Sequence, residues 1–194
     1  MKTLTKLVLD TIPVIFGVLI ALFIGDWKKD QDDQRYMDRM IESMKEEAQV
    51  NFDDFDKIIP LHLRMIDTID FYLEDPNISV LDLFVKNNGF KLPSVSNSTW
   101  TAVINNRIEL VDIETLKILN GMDGLTELTS SKVKTITDFT YQNMNASSQE
   151  SKETLKIHFL NLVESEIQLL LDHMSFLGIE ELESTWMEDY EIDL

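Results

Sequence analysis

An uninterrupted apolar run near the N-terminus is the clearest pattern in the chain. The 21 residues from Leu7 to Trp27 read LVLDTIPVIFGVLIALFIGDW and contain no Lys or Arg. At a rise of about 1.5 Å per residue they cover roughly 30 Å, the thickness of a bilayer's hydrocarbon core. Trp27 stands where an interfacial aromatic residue is expected, and Lys28 and Lys29 follow it as membrane-interface anchors. The pattern predicts a short tail at residues 1–6 and a transmembrane helix at 7–27.

Two other interpretations of the run are less favourable. A secretory signal peptide also opens with basic residues, here Lys2 and Lys6, followed by an apolar stretch. This run, however, ends in FIGDW without the small-residue pattern at which signal peptides are cleaved. A buried core helix that is apolar on every side is unusual in so small a domain. The membrane anchor is therefore favoured.

Small residues recur along one side of this segment. Gly17, Ala21 and Gly25 are spaced by four, the pattern that lets two membrane helices approach closely. Asp10 lies seven positions before Gly17 and so falls on nearly the same side. An ionisable group in hydrocarbon normally meets a partner or water. Two interpretations stay open: these four residues form a membrane-helix interface, or Asp10 lies at the headgroups in the first turn.

Beyond Trp27 apolar residues return every three or four positions, which predicts amphipathic helices. Neither Gly nor Pro occurs between Asp26 and Pro60, so the anchor helix is predicted to continue and to stop before Pro60. A second helix is expected at 61–73. Further helices are expected around Val80–Lys86, around Trp100 behind a cap at Asn97 or Ser98, from the cap Asp112 toward Tyr141, and from Ser148 to Phe176, where Gly178 ends the last one.

No strand-like alternation of any length interrupts these patterns. The predicted fold is all-α: an N-terminal transmembrane helix that continues into a long helix and packs in an antiparallel helical bundle, with the soluble domain at 28–178. The tail at 179–194 carries seven acids and no base. A solvated terminus is the ordinary interpretation. Its aromatic and sulfur side chains leave open a docking segment for a basic partner, formed by Trp186, Met187 and Tyr190.

Charge and motifs exclude several functions. The chain has 35 Asp and Glu against 17 Lys and Arg, a net charge of −18, which argues against a nucleic-acid partner. It has no cysteine, so disulfides and thiolate metal sites are excluded. The Glu-x-x-His pairs of di-iron bundles are absent, as are HExxH and the glycine-rich phosphate loops. Asp30, Asp32 and Asp33 lack the glycine and distal Glu of a calcium loop. We expect no enzyme, no cofactor and no metal.

The anchor combines Asp10, a G-x-L-I-A-L stretch from Gly17 to Leu22, Trp27 and a charged helix after it. In these residues it resembles a family of uncharacterised small single-pass membrane proteins of Bacteroidota-type bacteria. The family more often has Glu where this chain has Asp10. The likeness covers about the first 50 residues and implies an architecture and a membrane location, because the family has no established activity.

These features lead to two functional hypotheses. The first is a non-enzymatic accessory or scaffold protein in a bacterial membrane complex, bound to the lipid bilayer and either a homo-oligomer or a subunit. The second is an ion-coupled transport or motor subunit that uses Asp10. Counting bases after the anchor would place the domain in the cytoplasm. The short basic N-terminal tail favours instead an inner-membrane protein with a cytoplasmic N-terminus and a periplasmic domain.

Overall fold

The computed structural model describes residues 2–182 together with Trp186 and Tyr190, and its side chains from Thr11 onward. Within these residues all regular structure is helical, and no strand occurs. The helices are α1 (Lys2–Phe71), α2 (Val80–Lys86), α3 (Ser98–Arg107), α4 (Ile113–Asn143) and α5 (Gln149–Leu177), with a 3₁₀ turn at Ile108–Leu110. The all-α prediction is confirmed.

Helix α5 lies between α1 and α4 and packs extensively along both. It runs antiparallel to α1, because His173 meets Asn51 at one end of the pair while Lys156 meets Asp70 at the other. It also runs antiparallel to α4, since the ring centroids of Phe139 and His158 are 5.3 Å apart and Lys132 reaches back to the carbonyl of Asn161. The long first helix therefore packs in an antiparallel bundle, as predicted.

The core follows from the three- and four-residue spacing of apolar side chains in α1 and α5. Phe55, Ile59 and Ile69 of α1 are fully buried against Phe159 and Leu162 of α5. Val80 and Leu83 of helix α2 belong to the same buried cluster. A second cluster, closer to the start of the bundle, joins α1, α3 and α4 through Met44, Trp100, Val103, Leu119 and Met122.

Local capping sets the ends of the shorter elements. Ser79 and Asp82 form a reciprocal capping box at the start of α2, and the hydrogen bond from the Ser79 hydroxyl lowers the pKa of Asp82. Asp112 accepts from the backbone N–H groups of Glu114 and Thr115, as predicted, and its hydrogen bonding with Thr115 lowers the pKa of the carboxyl. Gly178 ends α5 with a φ of 73°, a left-handed conformation that favours glycine.

Pro60 does not end the first helix, so the predicted break before it is wrong. Helix α1 continues through Pro60 to Phe71, and the expected second helix at 61–73 is its last part. A proline inside a helix removes one hydrogen bond, here the one to the carbonyl of Asp56, at a cost of about 3 kcal/mol. The neighbouring side chains offset that cost, since Ile59 and Met65 are buried in the core and His62 is hydrogen-bonded within it.

Candidate functional site

The first part of α1 lies outside the bundle and carries an exposed apolar surface. Every side chain from Thr11 to Asp32 is exposed, although ten of them are large and aliphatic or phenylalanine. In the described part of the chain, one helix is long and apolar enough to cross a membrane, and it is this one. Burial begins only at Asp33, Tyr36 and Met37, where the bundle starts.

The small-residue stripe of Gly17, Ala21 and Gly25 is open. A Cβ placed on Gly17 or Gly25 would meet no atom within 4 Å, and Ala21 is exposed. The side chain of Asp10 lies outside the described residues, so its place on the same side stays a prediction. Trp27, Lys28 and Lys29 are exposed between the apolar segment and the bundle, as an interfacial group would be.

The bundle covers the side of α1 opposite this stripe. At about 100° per residue, Met44 and Phe55 lie roughly 140–160° from Ala21 around the helix axis. Both are buried. By the same count Val50 and Lys57 lie within roughly 20° of Ala21. Both are exposed. The stripe and the exposed side of α1 are therefore continuous, and the other described helices do not obstruct them.

The aromatic residues of the C-terminal segment contact α1. Trp186 is buried, and its Nε1 donates to Oδ1 of Asp56 at 2.8 Å. The Tyr190 hydroxyl donates to Oδ2 of Asp67 at 2.8 Å. These two residues therefore depart from the expectation of a solvated tail at 179–194, because the chain's own helix binds them. Met187 lies outside the described residues, and docking of this segment to a partner stays a prediction.

A buried polar pair joins α1 to α5 in the middle of the bundle. His62 Nδ1 lies 2.8 Å from Oε2 of Glu166, and His62 Nε2 lies 2.8 Å from the carbonyl oxygen of Lys91. A carbonyl only accepts, so Nε2 carries a hydrogen. One further proton lies between Nδ1 and the carboxyl group. Whether it is bonded to His62 or to Glu166, the net charge of the pair is zero. The second carboxyl oxygen of Glu166 has no partner in the described part of the chain.

A second polar group lies about two to three helical turns away along the same interface. His173 Nδ1 donates to the carbonyl of Leu169 at 2.6 Å, and its Nε2 accepts from the Asn51 amide at 3.2 Å. Asn51 also binds the backbone of Ser96 in both directions. Burial lowers the pKa of His173, which is consistent with a neutral ring. Asn51 thus fixes the loop before α3 against α5.

Lys152 is fully buried at the opposite end of the bundle. Its ammonium donates to the carbonyls of Tyr72 and Asp75 at 2.7 and 2.6 Å, just beyond the end of α1. These carbonyls belong to the turn that follows α1, so Lys152 ties that turn to α5, which is a structural role.

Helix α3 is held over the start of the bundle by polar contacts at both ends. Asn97 precedes the helix but gives it no side-chain cap, contrary to the expectation for Asn97 or Ser98. The cap comes from α1: the Glu47 carboxylate accepts from the backbone N–H of Thr99 at 3.0 Å and from the Ser98 hydroxyl. At its other end Arg107 pairs with Asp33 of α1.

A cavity of about 40 Å³ lies under α3, between α1, α4 and α5. Its apolar walls come from all four helices and include Met44, Ala48, Trp100, Leu119, Met122 and Phe176. Glu47, Asn51, Asp123 and His173 are among the polar residues of the lining. Trp100 is 4% exposed, yet its indole N–H has no acceptor in the described part of the chain.

The polar core was missed by the sequence analysis, although it left a signal. His62 falls in the series 55, 59, 62, 66, 69, and Glu166 in the series 155, 159, 162, 166, 169, which are otherwise apolar. A polar residue at a core position of a helix needs a buried partner. Among the described residues no three His, Asp or Glu side chains come together as metal ligands.

Comparisons with known proteins found no relative of this chain. No protein-family model, no curated protein and no solved structure matches the chain. The resemblance of the anchor to the Bacteroidota-type membrane family therefore stays a prediction, and function has to be argued from the geometry.

Proposed function

We propose that this chain is a single-pass membrane protein that acts as a non-enzymatic scaffold or accessory subunit through protein–protein contacts. The observation that carries the proposal is the exposed apolar start of α1, which no part of the described bundle covers. Its ten Leu, Ile, Val and Phe side chains each favour insertion by about 0.3–0.6 kcal/mol, or roughly 3–6 kcal/mol together. In water the same surface would be a large apolar patch.

The expected location is a bacterial inner membrane, with the N-terminus in the cytoplasm and the bundle in the periplasm. The bundle has its own hydrophobic core and needs no partner to bury it. The whole chain has a net charge of −18, which disfavours binding of the bundle to anionic lipid headgroups. The apolar segment then anchors the chain in the bilayer, and the bundle binds other proteins.

A second copy, or another membrane subunit, would bind along the small-residue stripe. Close packing of membrane helices depends on such residues because they let the backbones approach. The open space at Gly17 and Gly25 and the position of the stripe opposite the bundle favour this contact. Association on this side requires no rearrangement of α4 or α5.

The membrane part of the proposal is tested by flotation of the full chain with lipid vesicles. We expect the protein to float and to resist extraction by salt and alkali. A protein that stays in the aqueous fraction without detergent would contradict the proposal.

The association part is tested with Ala21→Leu, which fills the stripe, against Leu19→Phe, which adds bulk about 200° away around the helix. We expect Ala21→Leu and Gly17→Leu to reduce a detergent-stable assembly and Leu19→Phe to preserve it. A monomer for the wild type and all variants would show that the stripe is not an interface.

Asp10→Asn separates this proposal from an ion-coupled subunit. A scaffold is expected to assemble and function with the amide, since no proton transfer is involved. A proton-coupled subunit would assemble but lose its activity, which is measured as complementation of a deletion strain.

A further inference from the structure

We propose that the cavity under α3 is a binding site for a small, uncharged molecule that presents one hydrogen-bond acceptor to Trp100. The inference does not depend on the membrane role, because the cavity is formed only by the bundle helices and the loop before α3.

The unpaired indole N–H is the first reason. Buried polar groups in folded proteins nearly always have a partner, and leaving one without a partner is costly. Trp100 lines the cavity and is almost wholly buried, so a molecule in the cavity is the available source of an acceptor. The other buried tryptophan, Trp186, already has its acceptor in Asp56.

The charges around the cavity define the class of ligand. Among the described residues, no Lys or Arg lines the cavity, whereas Glu47 and Asp123 do, so an anion would be repelled. A cation is not required, because both carboxylates already accept hydrogen bonds within the protein. Glu47 caps α3 through Thr99, and Asp123 accepts from the Asn97 amide at 2.7 Å. A neutral ligand fits both facts.

The walls define its size and shape. A water molecule needs about 10–15 Å³ of such space. The 40 Å³ available therefore admit roughly three waters or a small organic molecule of similar bulk. Met44 and Met122 lie in the walls, and methionine adapts readily to the shape of what it contacts. Helix α3 forms the roof and buries only Trp100 and Val103.

The test uses three probes of equal size with the full chain in detergent micelles: acetone, acetate and isopropylammonium. The readout is the indole N–H signal of each tryptophan in a nitrogen–proton NMR spectrum. We expect acetone to shift the Trp100 signal saturably, with a Kd of about millimolar for so few atoms. Acetate and isopropylammonium should bind about tenfold more weakly or not at all.

Two matched variants identify the donor. Trp100→Phe keeps an aromatic ring but removes the N–H, and acetone affinity, followed by the methyl signals of the two methionines, should fall about tenfold. Trp186→Phe removes an indole that is outside the cavity and should leave binding unchanged.

Three results would overturn the inference. An absent or non-saturable shift, or equal shifts of all three indoles, would mean that the cavity holds water only. Binding of acetate or isopropylammonium as tight as that of acetone would refute the neutral class. Undiminished binding in Trp100→Phe would show that the indole is not the recognising group.

Discussion

The buried pair of His62 and Glu166 gives the sharpest test of how the bundle is held together. Among the described residues, His62 is the only partner of the fully buried Glu166 carboxyl group, and His62→Leu removes it. The carboxyl group of Glu166 would then be buried with no hydrogen-bond partner among the described residues. Breaking such a pair on one side costs about 3–5 kcal/mol. For a chain of 194 residues this corresponds to a fall in Tm of roughly 6–20 °C.

Two further variants serve as comparisons for this cost. Glu166→Gln keeps a hydrogen bond, because its amide can donate to an unprotonated Nδ1, and should cost only about 0.5–1.5 kcal/mol. The double variant His62→Leu with Glu166→Leu replaces both polar groups by apolar ones. Such replacements are often neutral or stabilising, although the Lys91 carbonyl loses its donor here. We expect the double variant within about 2 kcal/mol of wild type.

The assay is thermal and urea unfolding of each full-length variant in detergent micelles, followed by tryptophan fluorescence and circular dichroism. The expected order of stability is wild type, then Glu166→Gln and the double variant, with His62→Leu lowest. A loss of less than about 1 kcal/mol for His62→Leu would refute the reasoning, since breaking a buried pair costs more. So would a double variant that is less stable than His62→Leu alone.

Two other predictions concern His173 and Pro60. Burial lowers the pKa of His173 below its ordinary value of 6.5, so as the pH falls the unfolded chain takes up the proton first and the folded chain only later. The free energy of unfolding is therefore undiminished above about pH 6.5 and decreases below it, down to the folded-state pKa. Urea unfolding between pH 7 and pH 5 should show this, and His173→Gln should flatten the profile; equal slopes would contradict it. Pro60→Ala restores an N–H within a continuous helix and should raise stability by about 1–3 kcal/mol. A lower urea midpoint for Pro60→Ala would mean that the proline is required.

The sequence predicted what depends on local periodicity and capping. The bounds of α2, the cap at Asp112 and the end of α5 at Gly178 follow from side chains within a few residues of each terminus, and the structure has them where they were expected. The predicted helix break before Pro60 was wrong because contacts with distant parts of the chain decide the structure there. A local rule disfavours helix before proline, but burial of Ile59 and the hydrogen bonds of His62 are set by helices far away in the chain.

The polar contacts could be anticipated only in part. His62 and Glu166 are 104 residues apart, and Asn51 and His173 are 122 apart, so no local pattern pairs them. Their positions in otherwise apolar series do indicate burial. What the sequence does not contain is the distance between the helices, which decides that His62 meets Glu166 while Asn51 meets His173. The cavity depends on the same packing, since its walls come from four helices.

Helix α1 connects the two proposals, because the same continuous helix forms the apolar segment and one wall of the cavity. Asp33, where α3 is attached through Arg107, is six positions after Trp27; the helix rises about 9 Å over that distance. No glycine or proline interrupts α1 between Asp26 and Pro60. If residues 7–27 lie in lipid, we expect a change in the tilt or rotation of that segment to reach Met44 and Ala48 in the cavity wall through the continuous helix. A molecule under α3 would then favour some arrangements of the membrane segment over others, and binding energies at the two places would be coupled.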